Sequence, residues 1–195
     1  MKLAKMERSE YIDLQILRSQ SKFNYCKVSI LDVLKYSKIA RAHHAGSALP
    51  LGPVVCMGVR SGKEVDLFRV GLGKNILLQK ALVVSEKLKI SNGVSVRLLE
   101  SLPRRSDLNN IKDDSVVGVE VNPQAKRSDI FINSFDTLPD EWTGRFGILF
   151  SNSFDHALSA EDTAREWLRV VRPGGLIILL WSDAEPTETD PLKLN

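Results

Sequence analysis

The chain has 195 residues, 43% hydrophobic and 26% charged, with a formal net charge of +3. That length suits one well-buried domain, the composition excludes a disordered chain, and no apolar run approaches the roughly 20 residues that span a bilayer, so no membrane partner is expected. The opening residues, MKLAKMERSEYIDL, lack the apolar segment of a secretory signal, and Glu7, Glu10 and Asp13 argue against a transit peptide. An intracellular, cytoplasmic protein is the expectation. Cys26 and Cys56 have no CxxC spacing, which leaves neither a disulfide framework nor a zinc cluster, and no metal site is expected. Residues 1–50 hold nine Lys or Arg against four Asp or Glu. Nucleic acid is compatible with that excess but is not indicated by it, since a solvated helix face explains so modest an imbalance.

In chain order, the apolar positions Tyr11, Ile12, Leu14, Ile16 and Leu17, then Val28, Ile30, Leu31, Val33 and Leu34, include many pairs three or four residues apart. They predict two amphipathic helices, an N-terminal helical extension over residues 1–47. Ser29 or Asp32 opens the second helix and Gly46 ends it. His43 and His44 fall at that end, where the helix dipole favours cations, without acidic or Cys neighbours at ligand spacing.

Residues 48–195 read as one α/β domain. The apolar run VVCM at 54–57 meets Gly58 and Gly62, after which apolar residues recur at Val65, Phe68 and Leu72. That is strand, tight turn and helix, and in an open α/β sheet ligands bind beyond the carboxyl end of such a strand. A dinucleotide fingerprint needs glycines where Arg60 and Lys63 stand, so NAD fits poorly. A P-loop needs four residues between its glycines and a Ser or Thr after the Lys, whereas three separate Gly58 from Gly62 and Glu64 follows Lys63. What remains is a turn that brings a ligand close to the backbone at Gly58 and offers N–H groups near Gly62.

Residues 73–115 read as an insertion, with a helix over 76–88, a turn at Asn92-Gly93, and a strand or a helix start at 94–99. The run Val116 to Val121, followed by Asn122-Pro123, predicts a second strand with Glu120 at its tip, where a carboxylate can accept hydrogen bonds from adjacent ribose hydroxyls. Residues 129–133 and 146–150 are the third and fourth strands. A helix over 160–171 carries Ala164, Trp167, Leu168 and Val171 on one side, Arg172-Pro173-Gly174-Gly175 stop it, and 176–181 form a fifth strand buried on both faces. Five strands at this spacing predict a Rossmann-like, doubly wound, mostly parallel sheet with helices on both faces.

The segments GVEVNP, NSFDTLP and FGILFSNSFDHALSAEDTAREWLRVVRPGGLIILLW resemble the post-I, II and III regions of class I S-adenosylmethionine-dependent methyltransferases of the type 11-like kind. The resemblance covers about residues 54–182, and its helix-RPGG-strand block is the most specific part. It implies S-adenosyl-L-methionine as cofactor, with Gly58 and Gly62 beside the methionine moiety, Arg60 near its carboxylate and Glu120 on the ribose. Ser134, Phe135 and Asp136 fall where the family contacts the adenine, and Asn152 falls at the active-site rim. The N-terminal helices are expected over the cofactor mouth, where the family commonly builds a lid. Three positions depart from the family pattern: Arg60 stands for the middle glycine, Ser134 for a common Asp unless Asp136 substitutes, and Gly147 for the Asp that usually opens the fourth strand. The chain runs about thirteen residues past Ser182, so the family's C-terminal strand pair is not expected in full. Either the insertion replaces that edge or the fold is incomplete.

Two functions remain open. One is methyl transfer to an unidentified small-molecule or macromolecular acceptor, and the other is a catalytically silent binding or regulatory module. For an enzyme, His156 is the candidate general base, because an imidazole with an unperturbed pKa near ~6.5 is largely neutral at cellular pH. Asp155 is the second choice. Ser151 and Ser153 flank Asn152 without the glycines of a nucleophile elbow, which argues against a hydrolase.

Overall fold

The computed structural model describes residues 7–46, 50–89, 99 and 106–181. The turn expected at Asn92-Gly93 and the ambiguous stretch at 94–98 lie outside them. Short runs rich in Val, Ile, Leu and Phe form five strands, β1 (Val54–Met57), β2 (Val116–Glu120), β3 (Ile130–Ile132), β4 (Phe146–Ser151) and β5 (Val171–Leu179). They hydrogen-bond in the order β3-β2-β1-β4-β5, every pair parallel. Alternation along the strands splits the core into two layers. Val54, Cys56, Val116, Ile148 and Phe150 face one layer, and Val55, Met57, Val117, Val119 and Leu149 face the other. The result is a Rossmann-like, doubly wound α/β fold. Its chain order reverses between β1 and β4, the place where such sheets open a crevice at the carboxyl ends of their strands.

The helices are α1 (Arg8–Ser21), α2 (Ile30–His44), α3 (Lys63–Leu72), α4 (Ile76–Lys87) and α5 (Ala160–Val170). Ser29 and Asp32 together start α2 as a reciprocal capping box, the Ser29 hydroxyl accepting from the Asp32 amide at 3.1 Å and the Asp32 carboxylate from the Ser29 amide at 3.2 Å. Its buried residues Ile30, Val33, Ser37 and Ala40 are spaced three or four apart and join the layer that holds α3 and α4. Gly71 of α3 permits that packing, since a Cβ there would lie 2.5 Å from Val33 Cγ1. So α2 is part of the core and does not lie over the mouth, because its apolar stripe finds its partner on α3.

The first helix is different. The expected apolar stripe of α1 is buried only at Tyr11: Ile12, Leu14 and Ile16 are half-buried and Leu17 is 64% exposed. Polar contacts hold α1 instead. Arg8 donates to Asp136 at 2.7 Å and Thr137 at 2.6 Å, Tyr11 donates to the His156 carbonyl, and Ser19 donates to Glu120 at 3.0 Å. These partners all lie at the carboxyl ends of the strands or just beyond, so α1 alone of the N-terminal pair covers that end of the sheet.

Three expectations for the C-terminal block are corrected. Helix α5 ends at Val170, one residue early, and Arg172 to Gly175 already belong to β5 as an irregularity in which the register jumps from Phe146↔Val171 to Ile148↔Leu176. The buried residues of α5 are Thr163, Trp167 and Val170, while Leu168 faces solvent. Nor is β5 buried on both faces, since Ile177 and Leu179 are exposed. It is an edge strand with β4 as its one described neighbour. The departure at Gly147 has a steric cause: a Cβ there would lie 1.7 Å from the Leu51 carbonyl oxygen, so the chain passing from Pro50 to β1 excludes an Asp. No helix among the described residues is long and apolar enough to cross a membrane.

Candidate functional site

A cavity of about 370 Å³ opens where the strands end, between Gly58, Glu120, Ser134, Asn152 and Leu179 on the sheet side and α1 above. That volume is in the range of small-molecule sites.

The turn after β1 is built for close approach. Gly58 has φ 70°, and a Cβ there would meet the Ser153 hydroxyl at 2.6 Å, so the β1 and β4 tips touch over it. Arg60 adopts φ 48°, the left-handed region a glycine fills without strain. Its compensation is direct: the Arg60 amide donates to Glu120 Oε2 at 2.6 Å, and its guanidinium lies 5.3 Å from the centre of the Tyr25 ring.

Behind this turn sits a buried ion network. Arg127 forks onto Asp66 at 2.7 and 2.9 Å and onto Asp129 at 2.8 and 2.9 Å, and its Nη1 also donates to the carbonyls of Ser61 and Gly62. Arg69 reaches the same two carboxylates at 3.0 and 2.7 Å. Burial alone would lower the Arg127 pKa, but hydrogen bonds to Asp129 and Asp66 outweigh it and raise the value. Gly62, at φ 83°, caps α3 against this network; a Cβ there would lie 2.5 Å from Arg127. It therefore faces Arg127 and does not line the cavity.

Glu120 is buried, and its carboxylate accepts from Ser19 Oγ at 3.0 Å, the Asn122 amide at 3.1 Å and the Arg60 amide at 2.6 Å. Asn152 accepts from Ser153 Oγ at 2.9 Å and donates to Glu64 Oε1 at 3.5 Å. Glu64 is 1% exposed, and burial pushes its pKa up to about 7. The nearby Cys26 thiol donates to the Val28 carbonyl at 3.4 Å, and Glu64 Oε2 accepts no hydrogen bond of ordinary geometry among the described residues. Burial, reinforced by the Glu64 charge, pushes both the Cys26 and Cys56 thiols up, which keeps them unreactive. Phe135 packs edge-on against Trp167 at 5.6 Å, and its carbonyl accepts from the indole N–H at 2.8 Å. Asp155 and His156 sit in a 3-10 turn, Phe154–His156.

Nine of the ten residues singled out in the sequence line this one cavity: Gly58, Arg60, Glu120, Ser134, Phe135, Asp136, Asn152, Asp155 and His156. Gly62 is the exception. Sequence reasoning missed Tyr11, Arg18, Ser19, Lys22 and Lys27, which reach the cavity from α1 and the segment after it. Their visible trace was the basic excess of the first fifty residues; a lone Ser in a helix carries no such signal. Among the described residues, no group of three or more His, Cys, Asp or Glu side chains is arranged to hold a metal ion. No family model matches the sequence, and no curated protein matches it.

Proposed function

We propose that the protein is an S-adenosylmethionine-dependent methyltransferase. The observation that carries this reading is Glu120, a buried carboxylate at the tip of β2 that already accepts a hydroxyl hydrogen bond, from Ser19, beside the β1 turn of a sheet ordered β3-β2-β1-β4-β5. A ribose hydroxyl asks the same of Glu120 as the Ser19 hydroxyl does, so the residues present fit the group. When bound, S-adenosylmethionine supplies a methyl already activated by its sulfonium. The chain's own contribution is binding and orientation: Glu120 holds ribose hydroxyls, Arg60 attracts the carboxylate, and Phe135 offers a ring face to the adenine. His156 accepts the acceptor's proton, with Asp155 next to it.

Calorimetry with S-adenosylmethionine and its demethylated product, followed by a methyl-transfer screen, tests the reading. Glu120→Ala should weaken cofactor binding by about 1–3 kcal/mol through lost charged hydrogen bonds; unchanged affinity in a folded variant removes Glu120 from the site. His156→Ala should lower methyl transfer by roughly 10²-fold with cofactor affinity intact. Comparable turnover would end the base assignment.

A second reading, a silent binding or regulatory module, is favoured by one observation: Ser19 of α1 occupies Glu120 inside the protein. Cofactor binding without transfer to any acceptor in the screen would select it.

A further inference from the structure

We propose that the methyl acceptor is an amphipathic anion, with an apolar body and a carboxylate or phosphate group. The cavity is lined by basic and by apolar side chains. Lys22 and Lys27 come from the chain just after α1, and Arg60 joins them from the β1 turn. Of the acids that share the cavity, Asp136 is paired with Arg8 at 2.7 Å, Glu120 is held at the tip of β2 by the Ser19 hydroxyl and two backbone amides, and Asp155 lies in the turn after β4. Lys22 and Lys27 are exposed, and neither has an acidic partner among the described residues. Two such cations at a concave site focus their field on the space beside them, so an anion is favoured next to Lys22 and Lys27.

The cavity also has an apolar lining. Leu158 follows the turn after β4, Leu179 ends the edge strand, and Trp181 lies just past it, half exposed at 50%. An indole left this open gains by covering its face with an apolar body, and a few polar groups facing an apolar lining is the ordinary make-up of a small-molecule site. With Arg60 assigned to the cofactor's carboxylate, Lys22 and Lys27 remain for the second anion. The word acceptor rests on the methyltransferase reading; the preference for an amphipathic anion does not.

The test is direct binding to the full chain, followed by tryptophan fluorescence and calorimetry. Octanoate, phenylacetate and phenyl phosphate are each compared with a neutral counterpart, octanamide, phenylacetamide and phenol. At least one anion should bind tenfold or more tighter than its neutral counterpart, and that preference should shrink in high salt. The Lys22→Gln/Lys27→Gln double variant should lose it while keeping the parent's thermal unfolding midpoint. The tighter of phenylacetate and phenyl phosphate tells carboxylate from phosphate. Failure of all three anions to bind, equal binding of the neutral compounds, or an undiminished preference in the double variant overturns the inference. S-adenosylmethionine titrated into the same preparation separates the two ideas. Cofactor binding without anion preference sinks the inference alone, and anion preference without cofactor binding sinks the methyltransferase reading alone.

Discussion

Arg127→Ala should destabilise the protein by about 3–5 kcal/mol, the cost of removing one partner from a buried ion network. The side chain is 8% exposed and the Asp129 carboxylate it serves is fully buried. Its loss leaves Asp66 and Asp129 facing Arg69 alone and strips the Ser61 and Gly62 carbonyls of a donor, so the β1 turn should loosen as well. Arg127→Lys should recover little, because an ammonium cannot fork onto two carboxylates. The pH dependence has a definite sign. Burial would raise the Asp129 pKa, but the hydrogen bonds and charges of Arg127 and Arg69 together outweigh it and hold the value below the ordinary 3.8. The stability from that pairing is full above pH 3.8 and is lost as pH falls through the depressed value. The Ala variant should therefore lose less stability on acidification than the parent. Urea unfolding at neutral and acid pH measures both effects, and a loss under about 1 kcal/mol at pH 7 would show that the network contributes little.

Glu64→Gln should flatten the pH dependence of stability between about pH 4.5 and 7. Burial raises the Glu64 carboxyl from 4.5 to about 7, so between those values the folded state holds a proton that the unfolded state has released. Stability is full below pH 4.5 and falls as pH rises toward 7, by about 3 kcal/mol once the folded carboxyl has ionised. Gln keeps the shape and cannot ionise. The change in slope is the readout, because the new amide donors carry a burial cost of their own that is the same at every pH. Parallel pH profiles for parent and variant would place the Glu64 titration at its ordinary value. Since Asn152 bonds to Glu64 and lines the cavity, the same titration bears on the order of the β4 tip.

Helix α2 and strands β1, β2 and β4 were legible because their information is local: a capping pair, a period of three to four, and short apolar runs closed by glycine or by Asn-Pro. The same held for most of the candidate site, since Gly58, Glu120, Ser134 and Asn152 each sit just where a strand stops, and parallel strands bring all their ends to one side. Gly62 escaped this logic. A glycine before a helix announces the turn but not which way it faces, and Arg127, distant in sequence, claims it.

What only the tertiary structure decided is how the first fifty residues divide their work. Both N-terminal helices have apolar residues at helical spacing. Yet α2 is drawn into the core by the gap at Gly71, while α1, with Leu17 in solvent, is held by polar bonds to Asp136, His156 and Glu120. The reason is physical. Periodicity states that a face can be buried, but the available partner surface determines whether it is, and a hydroxyl such as Ser19 acquires a role only when folding sets it beside a carboxylate a hundred residues away. The amino-acid sequence by itself determined the parallel α/β sheet and the acid at the tip of β2. The tertiary structure decided what stands over that acid, and which charges face it across the cavity.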